Sequence, residues 1–584
     1  MNVYSATDPE GNDWVLAIRD IPSKAAKDCL EVLKQILDDL SARCASKGNR
    51  KPRGLEILLR IKNTMSDRAS TEVKFNELLE IFINETIPLM KEAEEEELLE
   101  GEDEAAVVRL NEFFCGLHSL VHFTNSAVEA QKEWEKSSIG AYGLPLFNPQ
   151  CARPGESGGS RMVQAACKAF AFEGDNKNGC ATTFMTEFRP ILEKKCGSSK
   201  NPFQKFLGAR FNILGRNAVY LYCLRSQLKD FLKLTATNML LKSVLFDLDQ
   251  PGTMAEVRTL GMLSKLIFVP LWNVLEDKNI SIAAMRQIYE ALIRFFDAAA
   301  KDPTSILEGQ SPFEEKYIDR DVWMTDLLTC DDTTDCLTAA IMTVIMQTLS
   351  VFARRQFRDH LADGVHENLT DEQSPGVPKT NRKCESYFGF WDHELRRVPN
   401  ISSIAVEAKL LWVMNRTSDW LDNKSAEERN AIIEEARKQA VQMRKTFKER
   451  EKDLMKAREE ALQKKREAIK AKEEQEAKKR TELGKEIDAL GGMWKSVEEM
   501  NVGLEKVRAN ARGEGKGKLV QALKCQISYR RLVAKQPVRD AKEWNYTGAN
   551  GKIDVEGLTS KLVNIINQFP NPTQQPTPQP ATQQ

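Results

Sequence analysis

Apolar and polar positions alternate over residues 3–7 and 14–18, on either side of the turn-forming cluster Asp8-Pro-Glu-Gly-Asn12, which predicts a β-hairpin. The period then lengthens. Ala26, Leu30, Leu33, Ile36 and Leu37 share one helical face after Ser23, a residue suited to cap a helix running to about Lys47. A basic, Gly-containing loop follows. Residues 55–66 form a half-apolar run that predicts a strand ending near Met65, and a helix-like segment from Ala69 to Phe82 comes next. Residues 92–104 are acidic and read as a solvated linker or helix surface. Residues 113–120 are a second buried segment leading into a helix through Trp134. The hairpin, the strand ending near Met65 and the segment at 113–119 are expected to share one small sheet.

Beyond residue 140 the pattern changes. A Gly/Ser/Pro loop at 148–160 opens a region dominated by helical periodicity, over 203–234, 240–246, 257–275, 282–299 and 338–360. These segments are apolar on broad faces, as packed helices of one domain are. Phe268-Val-Pro-Leu-Trp272 reads as core with a proline kink. Residues 381–423 return to a compact segment ending in an apolar helix over 404–421. Ser425-Ala-Glu-Glu428 is a capping box for a long charged helix over 424–490. Its apolar positions, Ile433, Ala436, Ala440, Met443, Phe447, Leu454, Ala457, Ala461, Ala468 and Ala471, recur three and four apart, interrupted by Arg450 and Lys464. That is a heptad pattern with a thin, Ala-rich seam, compatible with a coiled coil and self-association or with a solitary charged helix. Gly491-Gly492 ends it. Residues 491–569 form a small module with a basic helix over 518–535, a hairpin around Gly548–Gly551 and a helix over 555–569. The tail, 570–584, is rich in Pro, Gln and Thr and is expected to be disordered.

Composition narrows the classes. The 584-residue chain has room for roughly three or four domains on length alone, and a hydrophobic fraction of 41% supports a sizeable core. The formal charge of −1 gives no global field that attracts nucleic acid, so any DNA contact needs local patches. Twelve Cys without a CxxC pair read as reduced thiols in a nuclear or cytoplasmic protein. No apolar run of membrane-spanning length was found, so no membrane partner is expected. Without a P-loop, a GxGxxG or a Ser-His-Asp set, a nucleotide enzyme or small-molecule cofactor is not expected.

The candidate chemistry lies in three separated elements. Asp67 follows a strand, Phe113-Phe-Cys-Gly-Leu-His118 places Cys115 and His118 after the next buried segment, and Lys383-Cys-Glu-Ser-Tyr-Phe388 contains Glu385. Two-metal phosphodiester cleavage needs carboxylates holding two Mg²⁺ roughly 3.5–4 Å apart. Taken by themselves, Asp67 is a good helix cap, His118 a satisfied core histidine, and Glu385 an ordinary surface residue. Cys330, Asp331, Asp332, Asp335 and Cys336 read as an acidic capping loop. In the C-terminal module Lys524, Arg530, Arg531 and Lys535 are candidate phosphate contacts, with a solvated helix face as the plain alternative.

Residues 64–75 (Thr-Met-Ser-Asp-Arg-Ala-Ser-Thr-Glu-Val-Lys-Phe), 113–118, 208–213, 377–381 with Glu385, and 519–526 resemble a metazoan family of transposon-derived proteins, itself similar to hAT-type transposases with an RNase H-like core. The resemblance covers nearly the whole chain. It implies a mostly α fold with a small α/β part: a partial RNase H-like core in residues 1–138, a helical insertion over 139–380, and a return of the core at 381–423 carrying the catalytic Glu. Asp67 then matches the second catalytic Asp and Glu385 the catalytic Glu, both as Mg²⁺ ligands. Cys115 and His118 match a structural Cys-x-x-His element, and Arg210, Phe211 and Asn212 an insertion motif. Related sequences start earlier, with an Asp-bearing strand before the hairpin, and the Glu motif here lacks the usual following Arg. The resemblance therefore implies a degenerate, nucleic-acid-associated nuclear protein without full cleavage or strand transfer. The alternative is a helical, coiled-coil interaction scaffold with no enzymatic role.

Overall fold

A computed structural model describes residues 1–45, 53–93, 108–138, 156–206, 212–511, 515–538, 541–548, 551–552 and 554–568. The tail at 570–584, the acidic stretch beyond residue 93, the basic loop at 46–52 and most of the loop at 148–160 lie outside them. The fold is mostly helical, 70% helix against 4% strand. It divides into two compact units, residues 1–450 and 451–584.

In the first unit, β1 (Asn2–Thr7) and β2 (Asp13–Arg19) form the expected hairpin, antiparallel with a bulge between Tyr4 and Ser5. The Asp8 carboxylate builds the turn, accepting the Asn12 N–H at 2.7 Å and the Trp14 indole N–H at 3.0 Å. The bulge leaves Leu16 out of the pairing and so puts Tyr4 and Ala17 on one face and Val15 and Ile18 on the other. The first face packs on α1 (Ala26–Ala45), against Cys29, Leu33 and Leu37. The second packs on helices Arg382–Arg397 and Ser403–Met414, against Tyr387, Trp391, Val406 and Leu410. The hairpin is thus covered on both faces, and residues some 400 positions apart in the chain share its core.

The half-apolar run before Met65 is not one strand. Residues Arg53–Leu59 form a helix, α2, leaving only Asn63–Ser66 as β3. Burial decides this. Leu58 is fully buried with Leu37 and Ile36 of α1, and Gly54 sits so close to the Leu37 carbonyl that a side chain there would collide with it. α3 (Ser70–Ala93) follows, then β4 (Asn111–Phe114) and α4 (Gly116–Ser138). β3 and β4 pair in parallel, Asn63 with Asn111 through Ser66 with Phe114. The expectation of one sheet is corrected: hairpin and parallel pair are separate two-stranded sheets, and among the described residues β1 and β3 each keep an edge unpaired with another strand. The outer edge of β2 is occupied by a side chain. The Asn415 amide accepts the Val15 N–H at 2.8 Å and donates to the Val15 carbonyl at 2.9 Å, as a neighbouring strand would. Asn415 can do so because the apolar helix expected over 404–421 breaks there, with Arg416 in the left-handed region at φ 49°.

Residues 156–380 hold no strand among those described. Their helices share one large core with α4, including Phe123, Phe170, Phe184, Leu260, Phe268, Phe296 and Ile345. Pro270 lacks an N–H for the helical ladder, and the chain accommodates it with a wide π-turn at Ser264–Phe268 just before it. The acidic loop at 330–336 is a structural clasp: buried Arg258 meets Asp335 and donates to the Thr329 carbonyl at 2.9 Å, while Arg225 reaches Asp331 at 2.9 Å. Among the described residues one helix, Asp335–Gln356, is long and apolar enough to cross a membrane by length and composition alone, which corrects the expectation that no segment is. Half of its most apolar window is buried inside the structure, where Ile341, Ile345, Met346 and Leu349 belong to the helical core.

The capping box forms as expected: Glu428 N–H donates to the Ser425 hydroxyl at 3.2 Å and Ser425 N–H to the Glu428 carboxylate at 3.1 Å. It starts a single 64-residue helix, Ala426–Ala489. Before leaving the first unit this helix is tied down by Arg450, whose guanidinium meets both oxygens of Asp39 at 2.6 Å. Asp39 also faces Arg19 at 3.4 Å, and Arg19 reaches Glu407 at 2.9 Å. The second unit has its own core, in which Trp494, Leu504, Leu523, Ile527, Leu558 and Ile565 join helices Val497–Ala509, Gly515–Leu532 and Val555–Gln568. The hairpin expected near Gly548 is a two-residue pair, Thr547–Gly548 with Gly551–Lys552.

Candidate functional site

The two parallel strands end side by side, and each is followed by a helix start. This arrangement turns backbone N–H groups and the positive ends of two helix dipoles toward one end of the pair. Asp67 is the residue after β3. It is half-buried, and its Oδ1 accepts the Ala69 N–H at 3.1 Å, so it caps the turn into α3. Burial, and then the Asp67 charge, raise the carboxyl pKa of Glu72 in the first turn of that helix. Cys115 is the residue after β4. Its N–H donates to the Ser66 carbonyl at 2.9 Å, closing the strand pair.

The return segment meets this point. Gly116 N–H donates to the Lys379 carbonyl at 3.0 Å, and Asn381 N–H donates to the Cys115 sulfur at 3.3 Å. Lys379 is itself buried and fixed, its ammonium donating to the carbonyls of Asp277 at 2.7 Å and Ile280 at 2.5 Å. Burial lowers its pKa. Asn381 precedes helix Arg382–Arg397, and Glu385 lies exposed in the first turn. Cys384 faces Ser5 of β1 at 3.5 Å, and Lys383 faces Asp13 of β2 at 3.6 Å. Asn381 is therefore brought to the end of β4, and Glu385 lies one helical turn beyond it. Burial holds the Cys115 thiol protonated by raising its pKa, with Glu385 among the weaker contributing charges.

The resemblance implies Mg²⁺, and the donor set does not fit it. Asp67 spends one oxygen on a cap. Asp13 is engaged by Lys383, and among the described residues no group of three or more His, Cys, Asp or Glu converges as metal ligands. The same holds for zinc at Cys115 and His118: the His118 Nδ1 is buried without a partner, and its backbone N–H donates to the Cys115 carbonyl at 3.2 Å. Cys115 joins strand to return segment through its own hydrogen bonds. Arg210 and Phe211 lie outside the described residues. Asn212 is buried in the left-handed region at φ 61°, and its amide donates to Ser264 in the π-turn at 2.8 Å. It locks helix Ile213–Cys223 to the wide turn.

Beside Cys115 lies a cavity of about 20 Å³, the size of one water, lined by Arg68, Glu112, Tyr289, Asp359 and His360 among others. Arg68 donates to the Gln356 carbonyl at 3.0 Å and to Asp359 at 2.6 Å, and lies 4.6 Å over the Phe114 ring. Phe113 stacks on His366 at 4.4 Å, and His366 Nε2 meets the Glu112 carbonyl at 2.9 Å. Burial, reinforced by His366, pushes His360 down to about 4, so its ring is neutral at physiological pH. None of these side chains stood out in the sequence. The one available signal was that four of the chain's five His, at 118, 122, 360 and 366, fall in the two segments that meet here.

In the second unit, Arg531 and Lys535 are exposed, and Lys524 is half-buried over the Tyr546 ring at 5.5 Å. Arg530 corrects the expectation of a phosphate contact. It is 2% exposed, donating to the Trp494 carbonyl and to Gln526 Oε1 at 3.0 Å, and burial pushes its pKa down to about 10. It lies seven residues after Leu523 and three after Ile527, on the buried face of its helix. Comparison with family models, with curated proteins and with solved structures finds no match.

Proposed function

We propose that this chain is a transposase-derived, nucleic-acid-associated protein that binds rather than cuts. In this reading the hairpin and the parallel pair are two parts of an RNase H-like sheet, and the helical region after α4 is its insertion. The observation that carries it is the return of Lys379 and Asn381, from more than 260 positions away, to hydrogen bonds with Gly116 and Cys115 at the end of β4. Among the described residues β1 and β3 each keep an edge unpaired with another strand, the edges that such a sheet would bring together. Asp67 spends one oxygen on a helix cap and among the described residues no group of three or more metal ligands converges, so this reading assigns binding and not strand cleavage. DNA contact then falls to exposed cations such as Lys518, Arg531 and Lys535.

The test is a time course of full-length protein with supercoiled plasmid in Mg²⁺ and in Mn²⁺, beside Asp67→Ala and Glu385→Ala. The expected result is binding without nicking, and retention of binding by both variants. Nicking abolished by either substitution would mean that the site is complete and the reading wrong. The interaction-scaffold reading is favoured by one observation, the full exposure of residues 461–482 along the long helix, apart from any nucleic-acid role.

A further inference from the structure

The long helix carries a charge code that fits one partner, a second copy of itself. Taking Leu454, Ala461 and Ala468 as heptad a positions and Ala457 and Ala471 as d positions, the flanking positions sort by sign. The g positions are Asp453, Glu460, Glu467 and Glu474, all acidic. The e positions are Arg458, Lys465, Lys472 and Lys479, all basic. In a parallel, in-register pair each g residue faces the e residue five positions further along the other helix. Here that gives Asp453 to Arg458, Glu460 to Lys465, Glu467 to Lys472 and Glu474 to Lys479, every one an opposite-charge pair. An antiparallel pair would set g against g and e against e, and every contact would be between like charges.

We propose that residues 453–479 form a parallel, in-register homodimeric coiled coil. The face is open for it: residues 461–480 are exposed throughout, including the seam positions Ala461, Lys464, Ala468 and Ala471. Within one helix the ion pairs of this stretch include Lys470–Glu474 at 3.9 Å and Arg480–Glu476 at 3.5 Å. The seam is small and carries Lys464 and Lys478 at d positions and Gln475 at an a position, so it supplies little apolar area. Association is therefore weak, with a Kd on the order of 10 μM, and the flanking charges decide both orientation and partner. This inference does not depend on any nucleic-acid role.

Sedimentation equilibrium of the full chain tests it, with two variants confined to exposed positions. One carries Lys465→Glu, Lys472→Glu and Lys479→Glu. The other carries Glu460→Lys, Glu467→Lys and Glu474→Lys. Each reverses three pairs on both sides of the two-fold axis, and each alone is expected to dimerise at least a hundredfold more weakly than the parent. Mixed one to one, they restore opposite charges at every altered contact and are expected to form a heterodimer, which a misfolded variant would not do. Raising salt from about 0.1 M to about 1 M, where the screening length falls from about 10 Å to about 3 Å, is expected to weaken the parent dimer. A parent chain that stays monomeric at ten times that Kd overturns the proposal. So does a dimer that salt strengthens, as an antiparallel pairing predicts, or one that either variant leaves unchanged.

Discussion

Glu256 offers the sharpest test of how the helical region is held together. Two carboxyls converge on the N-terminus of helix Gly158–Phe170: Glu135 accepts the Gly158 N–H and Glu256 the Gly159 N–H, both at 2.5 Å. Glu256 is 1% exposed, and its second oxygen, Oε1, is buried with no donor. An acceptor in that position is explained if it bears a proton and shares it with Glu135. Burial, reinforced by the Glu135 charge, accordingly pushes the Glu256 pKa well above the usual carboxylate range, and burial raises Glu135 as well. The sign follows from linkage. A carboxyl whose pKa is raised on folding keeps its proton where the unfolded chain loses it. Stability is therefore greatest below the unfolded value of about 4.3 and falls by about 1.4 kcal/mol per pH unit until the folded value is reached.

Glu256→Gln keeps an acceptor for Gly159 and gives Glu135 a permanent donor. It should cost less than about 1 kcal/mol at pH 5 and remove most of the slope between pH 5 and 6. Glu256→Ala leaves the Gly159 N–H unsatisfied, a loss of about 1–3 kcal/mol, and strips Glu135 of its partner. The assay is hydrogen exchange by mass spectrometry over residues 158–170, corrected for the intrinsic pH dependence of exchange. A Gln variant with the parent slope, or an Ala variant with parent protection, would refute the shared proton.

Arg450→Ala should release the base of the long helix from Asp39. The pair is partly exposed, so a cost of about 1 kcal/mol is expected, seen as faster proteolysis within residues 426–450 at unchanged overall melting. Arg530→Ala should destabilise the C-terminal module by about 2–3 kcal/mol, read by hydrogen exchange over residues 515–532, because it strands the buried Trp494 carbonyl and Gln526. Arg531→Glu with Lys535→Glu should leave that protection unchanged and weaken DNA binding alone. Asn415→Ala should open the outer edge of β2, exposing the Val15 amide to exchange.

The elements legible in the sequence were those with local causes. The hairpin at residues 3–18 is written in Asp8-Pro-Glu-Gly-Asn12, and the capping box at Ser425 in four residues. The heptad over 433–471 foretold a single helix, because no proline or glycine interrupts it. Failures came where tertiary context outweighs local pattern. The half-apolar run from Leu55 reads as a strand, yet packing of Leu58 and Gly54 on α1 makes its first part helical. Arg530 was grouped with its basic neighbours by composition, although its spacing from Leu523 and Ile527 places it inside. The candidate site was legible only as fragments. Asp67 and Glu385 could be named, but the pinning of the return segment by Lys379 depends on carbonyls at the end of a distant helix. The cavity residues Arg68, Tyr289, Asp359 and His360 are joined by no motif.

Fluorescence anisotropy of the full chain on a labelled duplex DNA, titrated at about 50 mM and about 200 mM salt, tests the central claim most directly. The account predicts saturable binding at the lower salt that weakens at least tenfold at the higher, with little dependence on duplex sequence, since phosphate contacts position rather than specify. No binding at the lower salt, or binding indifferent to salt, would contradict it.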